Sequence, residues 1–182
     1  MLFCYGVTML TARETEDVSD PVFQKLYDVS FTSEEKIPLD NIKRTFGKGG
    51  KLHFYYDSEA FIGFTYCFEH ESITFFVYFT TCPEFRNKGY GSKILDMMKQ
   101  RYSGKRIFLV IEPLDENAPD FDIRVRRHRF YERNGWNDSG TCLLSDGYYF
   151  DSMYLGEPID GKEMSRAVEY YEKVHNGGVS CL

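Results

Sequence analysis

Three consecutive runs, KLHFYYD at 51–57, AFIGFTYCFE at 60–69 and SITFFVYFT at 72–80, are separated only by the polar turns Asp57-Ser58 and His70-Glu71. All three are dense in aromatic and β-branched residues, which fit a pleated surface with an apolar side. Runs this short between turn formers pair as an antiparallel meander. The chain holds 16 Phe and 14 Tyr against one Trp, and these rings supply the large apolar contacts that such a sheet needs.

Helical spacing appears on both sides of the meander. Asp20-Pro21 is an acidic cap followed by proline in a first turn, and Val22, Phe23, Leu26, Tyr27 and Phe31 continue at helical intervals, so 21–31 is expected to be helix. Pro38 interrupts, LDNIKRTF at 39–46 reads as a second short helix, and GVTMLTA at 6–12 reads as a strand before both. After residue 89 the period changes again. Ile94, Leu95, Met98 and Tyr102 mark a helix face ending near Gly104, and RIFLVIE at 106–112 is the unbroken apolar run of a strand covered on both sides. An Arg-dense helix over 122–134 is closed by Gly135. A hairpin over 141–155 turns at Asp146-Gly147, and Asp160 caps a last helix at about 161–175. The expected fold is a mixed α/β arrangement in which a mostly antiparallel sheet of about six or seven strands is flanked by helices.

At 182 residues one domain is expected. No stretch approaches the roughly 18 apolar residues of a membrane span, and MLFCYGVTML lacks the basic leader of a signal peptide. Five cysteines without a CxxC pair fit reduced thiols and a cytoplasmic location, and four histidines without ligand spacing argue against a metal site. The net charge of −6 is uneven: residues 84–136 carry 12 basic against 8 acidic side chains, whereas both flanks are acidic. A basic centre in an acidic chain suits a compact polyanionic ligand better than nucleic acid, which needs a broad positive face. A solvated arginine-rich helix face has the same composition.

The chemistry concentrates in FTTCPEFRNKGYGS at 79–92, where an apolar strand runs through Pro83 into a basic glycine loop that opens directly into a helix. Free N–H groups and the positive end of the dipole at such a helix start suit a pyrophosphate. Two other phosphate motifs are excluded. Lys88 precedes the glycines that a P-loop lysine follows, and Ile94 stands where the dinucleotide fingerprint has its third glycine. Cys82 lies in the loop with no histidine near it in sequence and reads as a small apolar residue, and His128 is expected at the surface of the Arg-rich helix.

Arg86-Asn87-Lys88-Gly89-Tyr90-Gly91, led by TCPEF and followed about forty residues later by RFYERNGW at 129–136, resembles the GNAT N-acetyltransferases, whose signature is Arg/Gln-x-x-Gly-x-Gly/Ala. The resemblance implies a GNAT-like domain over 1–156, with 157–182 as a helical extension packed on it. It implies acetyl-CoA as acyl donor and a primary amine as acceptor. By the same resemblance, Phe79, Thr80 and Thr81 offer backbone groups to the pantetheine arm. Arg86, Asn87, Lys88, Gly89, Tyr90, Gly91 and Ser92 surround the pyrophosphate, and Tyr131 points at the thioester sulfur. Arg124 and Arg127 depart from the pattern, which often has Asn at the first position and a small residue at the second. Arg124 and its neighbouring arginines are candidates for a coenzyme phosphate, an acidic acceptor or solvent.

A lysine-like amine is only about 0.04% neutral at pH 7, so a base or water relay matters. Glu112, at the end of RIFLVIE, is the candidate base, with orientation of the acceptor as the alternative role. The first helical pair and the last hairpin are expected to shape the acceptor site, with Glu34, Glu35 and Asp40 suited to a cationic amine. A non-catalytic acyl-CoA-binding module is the competing expectation, and the last helix is a candidate surface for a homodimer.

Overall fold

The aromatic meander forms the middle of a seven-stranded sheet in the computed structural model, which describes residues 9–145 and 147–177. The strands are β1 (Leu10–Thr15), β2 (Gly50–Asp57), β3 (Ala60–His70), β4 (Ile73–Thr81), β5 (Arg106–Ile111), β6 (Asn137–Ser145) and β7 (Tyr148–Leu155). Their order across the sheet is β1-β2-β3-β4-β5-β7-β6. Every neighbouring pair is antiparallel except β4 and β5.

Five helices cover the two faces. On one side lie α1 (Pro21–Ser30), α2 (Leu39–Thr45) and α5 (Gly161–His175), which bury Phe23, Leu26, Ile42, Met164, Val168 and Tyr171 against Phe54, Phe64, Tyr66, Phe68 and Phe75. On the other lie α3 (Tyr90–Arg101) and α4 (Phe121–Arg133). There Ile94, Leu95, Met98 and Tyr131 pack on Tyr55, Ile62, Phe76, Leu109 and Met153. The two long caps act as read from sequence. Asp20 accepts the amides of Val22 and Phe23 at 2.8 and 3.0 Å, and Asp160 forms a reciprocal capping box with Glu163. Glu163 also takes a two-pronged contact from Arg106 at 2.9 and 3.0 Å, tying α5 to β5.

Some boundaries differ from the sequence reading. The first strand spans 10–15 rather than 6–12; it is an edge strand with only β2 beside it, so half-buried Leu10 and Ala12 suffice in place of a continuous apolar run. Residues 6–8 lie outside the described residues, as does Asp146 of the expected turn. The hairpin's first strand begins at Asn137, earlier than expected, because its pairing with β7 resumes beyond an irregularity between Asp138 and Cys142, at Asn137 with Tyr154 and Asp138 with Met153. The last helix belongs to the same core as α1, through the ring contacts of Tyr171 with Tyr66, Phe68 and Phe75. Among the described residues no helix is long and apolar enough to cross a membrane.

Candidate functional site

The strands β4 and β5 pair only at Ile73–Phe75 with Arg106–Phe108, although both continue beyond that ladder. Past Phe75 the β5 side of β4 has no partner strand. The amide of Cys82 donates to the Ile62 carbonyl of β3 at 2.8 Å. By the alternation of a strand, Thr80 faces β3 as well, while Phe79 and Thr81 turn their backbone groups to the open side. The Thr80 hydroxyl instead meets Ser30 of α1 at 2.9 Å.

A cavity of about 440 Å³ occupies the parting between the strands. Val77, Phe79, Val110 and Ile111 line its strand walls, and Tyr131 and Arg127 reach it from α4. Its far side is built by Phe31, Glu34, Glu35 and Ile37 after α1, by Tyr148 and Phe150 of β7, and by Tyr171 and His175 of α5. Arg86 and Glu112 complete the rim. Asp40 is not part of the lining and pairs with Lys43 at 3.3 Å.

The glycine loop leads from this cavity into α3. Asn87 and Gly89 adopt left-handed conformations, with φ of +60° and +81°, which Asn and Gly tolerate better than other residues. Gly91 has a different role. A Cβ there would stand 3.1 Å from the Phe130 ring, so its absence lets the start of α3 approach α4. Among the described residues, no amide from Asn87 to Ser92 makes a hydrogen bond of ordinary geometry to a protein acceptor, and the next one, Lys93, closes the first helical bond onto Gly89. This leaves a run of successive donors at the positive end of a helix, a fit for a diphosphate. Tyr90 fixes the loop by hydrogen bonding to Asp57 of β2, and Arg86 Nε donates to the Thr81 carbonyl at 3.3 Å. Lys88 and Lys93 lie over the rings of Phe85 and Tyr90.

The arginines of α4 divide by direction. Arg126, Arg129 and Arg133 are exposed, whereas Arg124 and Arg127 turn inward. Arg124 donates to Asp120 at 2.9 Å and to the Pro113 carbonyl at 3.1 Å, which fixes the start of α4 against the end of β5. Arg127 Nη1 bonds both carboxylate oxygens of Glu112, one residue past the end of β5. Burial opposes the Arg127 charge, but Glu112, with Tyr131 and Glu35 behind it, outweighs burial and raises its pKa. His128, expected at the surface, is instead buried, because its Nε2 meets the Glu112 carbonyl at 3.0 Å and holds the same strand end from inside.

Tyr131 is buried between the rings of Phe130 and Trp136, and burial pushes its phenol well above the ordinary tyrosine range. Cys82 is also buried, with its thiol directed at the Phe61 carbonyl, and burial raises its pKa to about 11. Of the residues expected at the site, Phe79, Thr80, Arg86, Glu112 and Tyr131 line this cavity. The sequence reading expected the last hairpin, which supplies Phe150, to shape the acceptor site, but did not anticipate Tyr78, Tyr171 or His175 as cavity walls. Their signal was only that of apolar faces, which does not distinguish a core from a pocket.

Comparison with known proteins bears on the family and the fold. A family model described as an acetyltransferase (GNAT) domain matches residues 48–138. A Bacteroides thetaiotaomicron structure assigned to GNAT-family acetyltransferases superposes with a TM-score of 0.69, at 23% identity, over 94% of this chain and 99% of that one. An aminoglycoside 6'-N-acetyltransferase complexed with coenzyme A gives a TM-score of 0.61 at 14% identity, over 82% of this chain and 99% of that one. A Bacillus subtilis acetyltransferase in complex with CoA gives 0.57 at 14% identity, with the same two coverages. At these identities the likeness is one of fold. No curated protein matches by sequence.

Proposed function

Because this chain belongs to the GNAT acetyltransferases, we propose that it moves the acetyl group of acetyl-CoA to a primary amine by direct attack within a ternary complex. The observation that carries this reading is the run of unpaired amides from Asn87 to Ser92, placed beside a cavity in the parted strands. In this reading residues 1–156 are the catalytic domain, and 157–182 form an extension that adds Tyr171 and His175 to the cavity wall.

The amides of the loop hold the diphosphate, with Arg86 and Lys88 as nearby cations. The backbone of Phe79 and the amide of Thr81 receive the pantetheine arm as a further strand would be received. Arg124, engaged with Asp120 and Pro113, positions α4 in place of a direct pantetheine contact. The donor supplies an activated thioester carbonyl and a thiolate leaving group.

On the leaving side, a thiolate's conjugate acid has a pKa near ~8.5 and an ordinary phenol one near ~10. Burial raises Tyr131 further, so full proton transfer to sulfur is more uphill than for a free tyrosine. Tyr131 therefore stabilises the departing sulfur by donating a hydrogen bond. On the attacking side, both oxygens of Glu112 already engage Arg127. Glu112 orients the incoming amine. The neutral fraction of that amine attacks the thioester carbonyl, the C–S bond breaks, and the proton shed by nitrogen passes through solvent to the released thiolate.

Thiol release from acetyl-CoA, followed with a panel of primary amines, tests the proposal. Amine-dependent release is expected. Coenzyme binding without release for any amine would contradict it.

A further inference from the structure

The far side of the cavity is held in shape by two tyrosines. Tyr27 of α1 receives the Ile37 amide at 3.0 Å. Tyr78 of β4 receives the same amide at 3.2 Å and donates to the Glu35 carbonyl at 2.6 Å. The segment between α1 and α2 is thus fixed to the sheet by side chains from two different elements, so this wall is preformed. Within it the Glu35 carboxylate accepts the Thr32 amide at 2.7 Å and faces the cavity. Phe31, packed 4.7 Å from the Tyr78 ring, stands beside it, with Tyr148 and Phe150 contributed by β7.

Three carboxylates line the cavity against two guanidinium groups, with His175 beside them. Glu34, Glu35 and Glu112 line it, and the lining arginines are Arg86 and Arg127. Arg127 is taken by Glu112, and Arg86 lies at the glycine loop with its Nε on the Thr81 carbonyl. With Arg127 balanced by Glu112 and Arg86 given to the diphosphate in the reading above, Glu34 and Glu35 remain to repel an acceptor that bears its own carboxylate. A ligand of ammonium and flat apolar body meets favourable partners at both ends.

Resting on the acetyltransferase reading above, we propose that the acceptor is a monoamine with an aromatic or similarly flat apolar body and no carboxylate. Glu35 attracts its ammonium, and Phe31, Tyr148 and Phe150 receive its body. Glu35 is accordingly a specificity-determining residue of the reaction.

The test compares 2-phenylethylamine, phenylalanine and 1,4-diaminobutane as acceptors, with coenzyme A binding measured by calorimetry on the same preparations. 2-Phenylethylamine is expected to exceed each of the other two in kcat/KM by about tenfold or more. Glu35→Gln keeps an oxygen for the Thr32 amide. It should raise KM for 2-phenylethylamine about tenfold while leaving KM for acetyl-CoA within about twofold. Equal or better use of phenylalanine or the diamine, no acetylation of 2-phenylethylamine, or an unchanged KM in Glu35→Gln would overturn this assignment. If coenzyme A still bound and another amine were acetylated, the acetyltransferase reading would stand. Absence of coenzyme binding would remove both.

Discussion

A single nitrogen of Arg127 bonds both carboxylate oxygens of Glu112, joining the second turn of α4 to the end of β5. The pair stands at the rim of the cavity, next to the strands' parting, and occupies the carboxylate face on which a base would accept a proton. Glu112→Gln should therefore lower turnover by a factor that is the same at every pH. A deficit that shrinks as pH rises would instead identify Glu112 as the base. The same substitution leaves a half-buried guanidinium without its counter-ion. Breaking a fully buried pair costs about 3–5 kcal/mol, and the partial exposure of Arg127 reduces this to about 1–2 kcal/mol, measurable in urea.

Tyr131→Phe should cut kcat by about a hundredfold and leave coenzyme affinity almost unchanged, since only the hydrogen bond to the departing sulfur is lost. The ring contacts with Phe130 and Trp136 survive the substitution, so the melting temperature should change little. Steady-state kinetics together with calorimetry separates these effects. Unaltered kcat would remove Tyr131 from the reaction.

The fold was legible where the signal is local. The caps at Asp20 and Asp160, the aromatic and β-branched runs of the meander and the loop opening α3 each depend on residues a few positions apart. What was hidden depends on distant pairings. Nothing near Tyr78 in sequence shows that its hydroxyl will hold Glu35 and Ile37, which lie more than forty residues away. Arg127 stood out in the sequence only as a departure from the family pattern, and nothing there placed it opposite Glu112. His128 carried no sign of the carbonyl that draws it inward. A site built between elements takes its lining from side chains whose own neighbourhoods announce only helix or strand.

Cys82 should be silent chemically despite its place beside the loop. With its thiol pushed up to about 11, about one molecule in a thousand carries the thiolate at pH 8. Mass spectrometry after brief alkylation of the folded protein should find exposed Cys142 labelled and Cys82 unmodified. Cys82→Ala should retain turnover, and its loss would reopen a covalent route.

His53 gives the protein an acid-sensitive point far from the cavity. The ring is fully buried in β2, neither nitrogen has a hydrogen bond among the described residues, and the Glu14 carboxylate is 3.6 Å away. Burial, aided by the charge of Arg101, lowers its pKa from 6.5 to about 4. The unfolded chain therefore takes this proton first as pH falls. The His53 contribution to stability is complete above about pH 6.5, declines between there and about 4, and by then has lost about 3 kcal/mol. Urea unfolding across this range should show the decline in the native protein, and His53→Phe should flatten it. An unchanged slope would exclude His53 as its source.

The account rests on the loop amides receiving a diphosphate, and calorimetry comparing coenzyme A with pantetheine tests this most directly. Coenzyme A should bind with measurable heat, while pantetheine, which lacks the diphosphate and nucleotide, should bind about a hundredfold more weakly, as expected from losing several charge-assisted hydrogen bonds. Equal affinities, or no heat from coenzyme A at millimolar concentration, would contradict it.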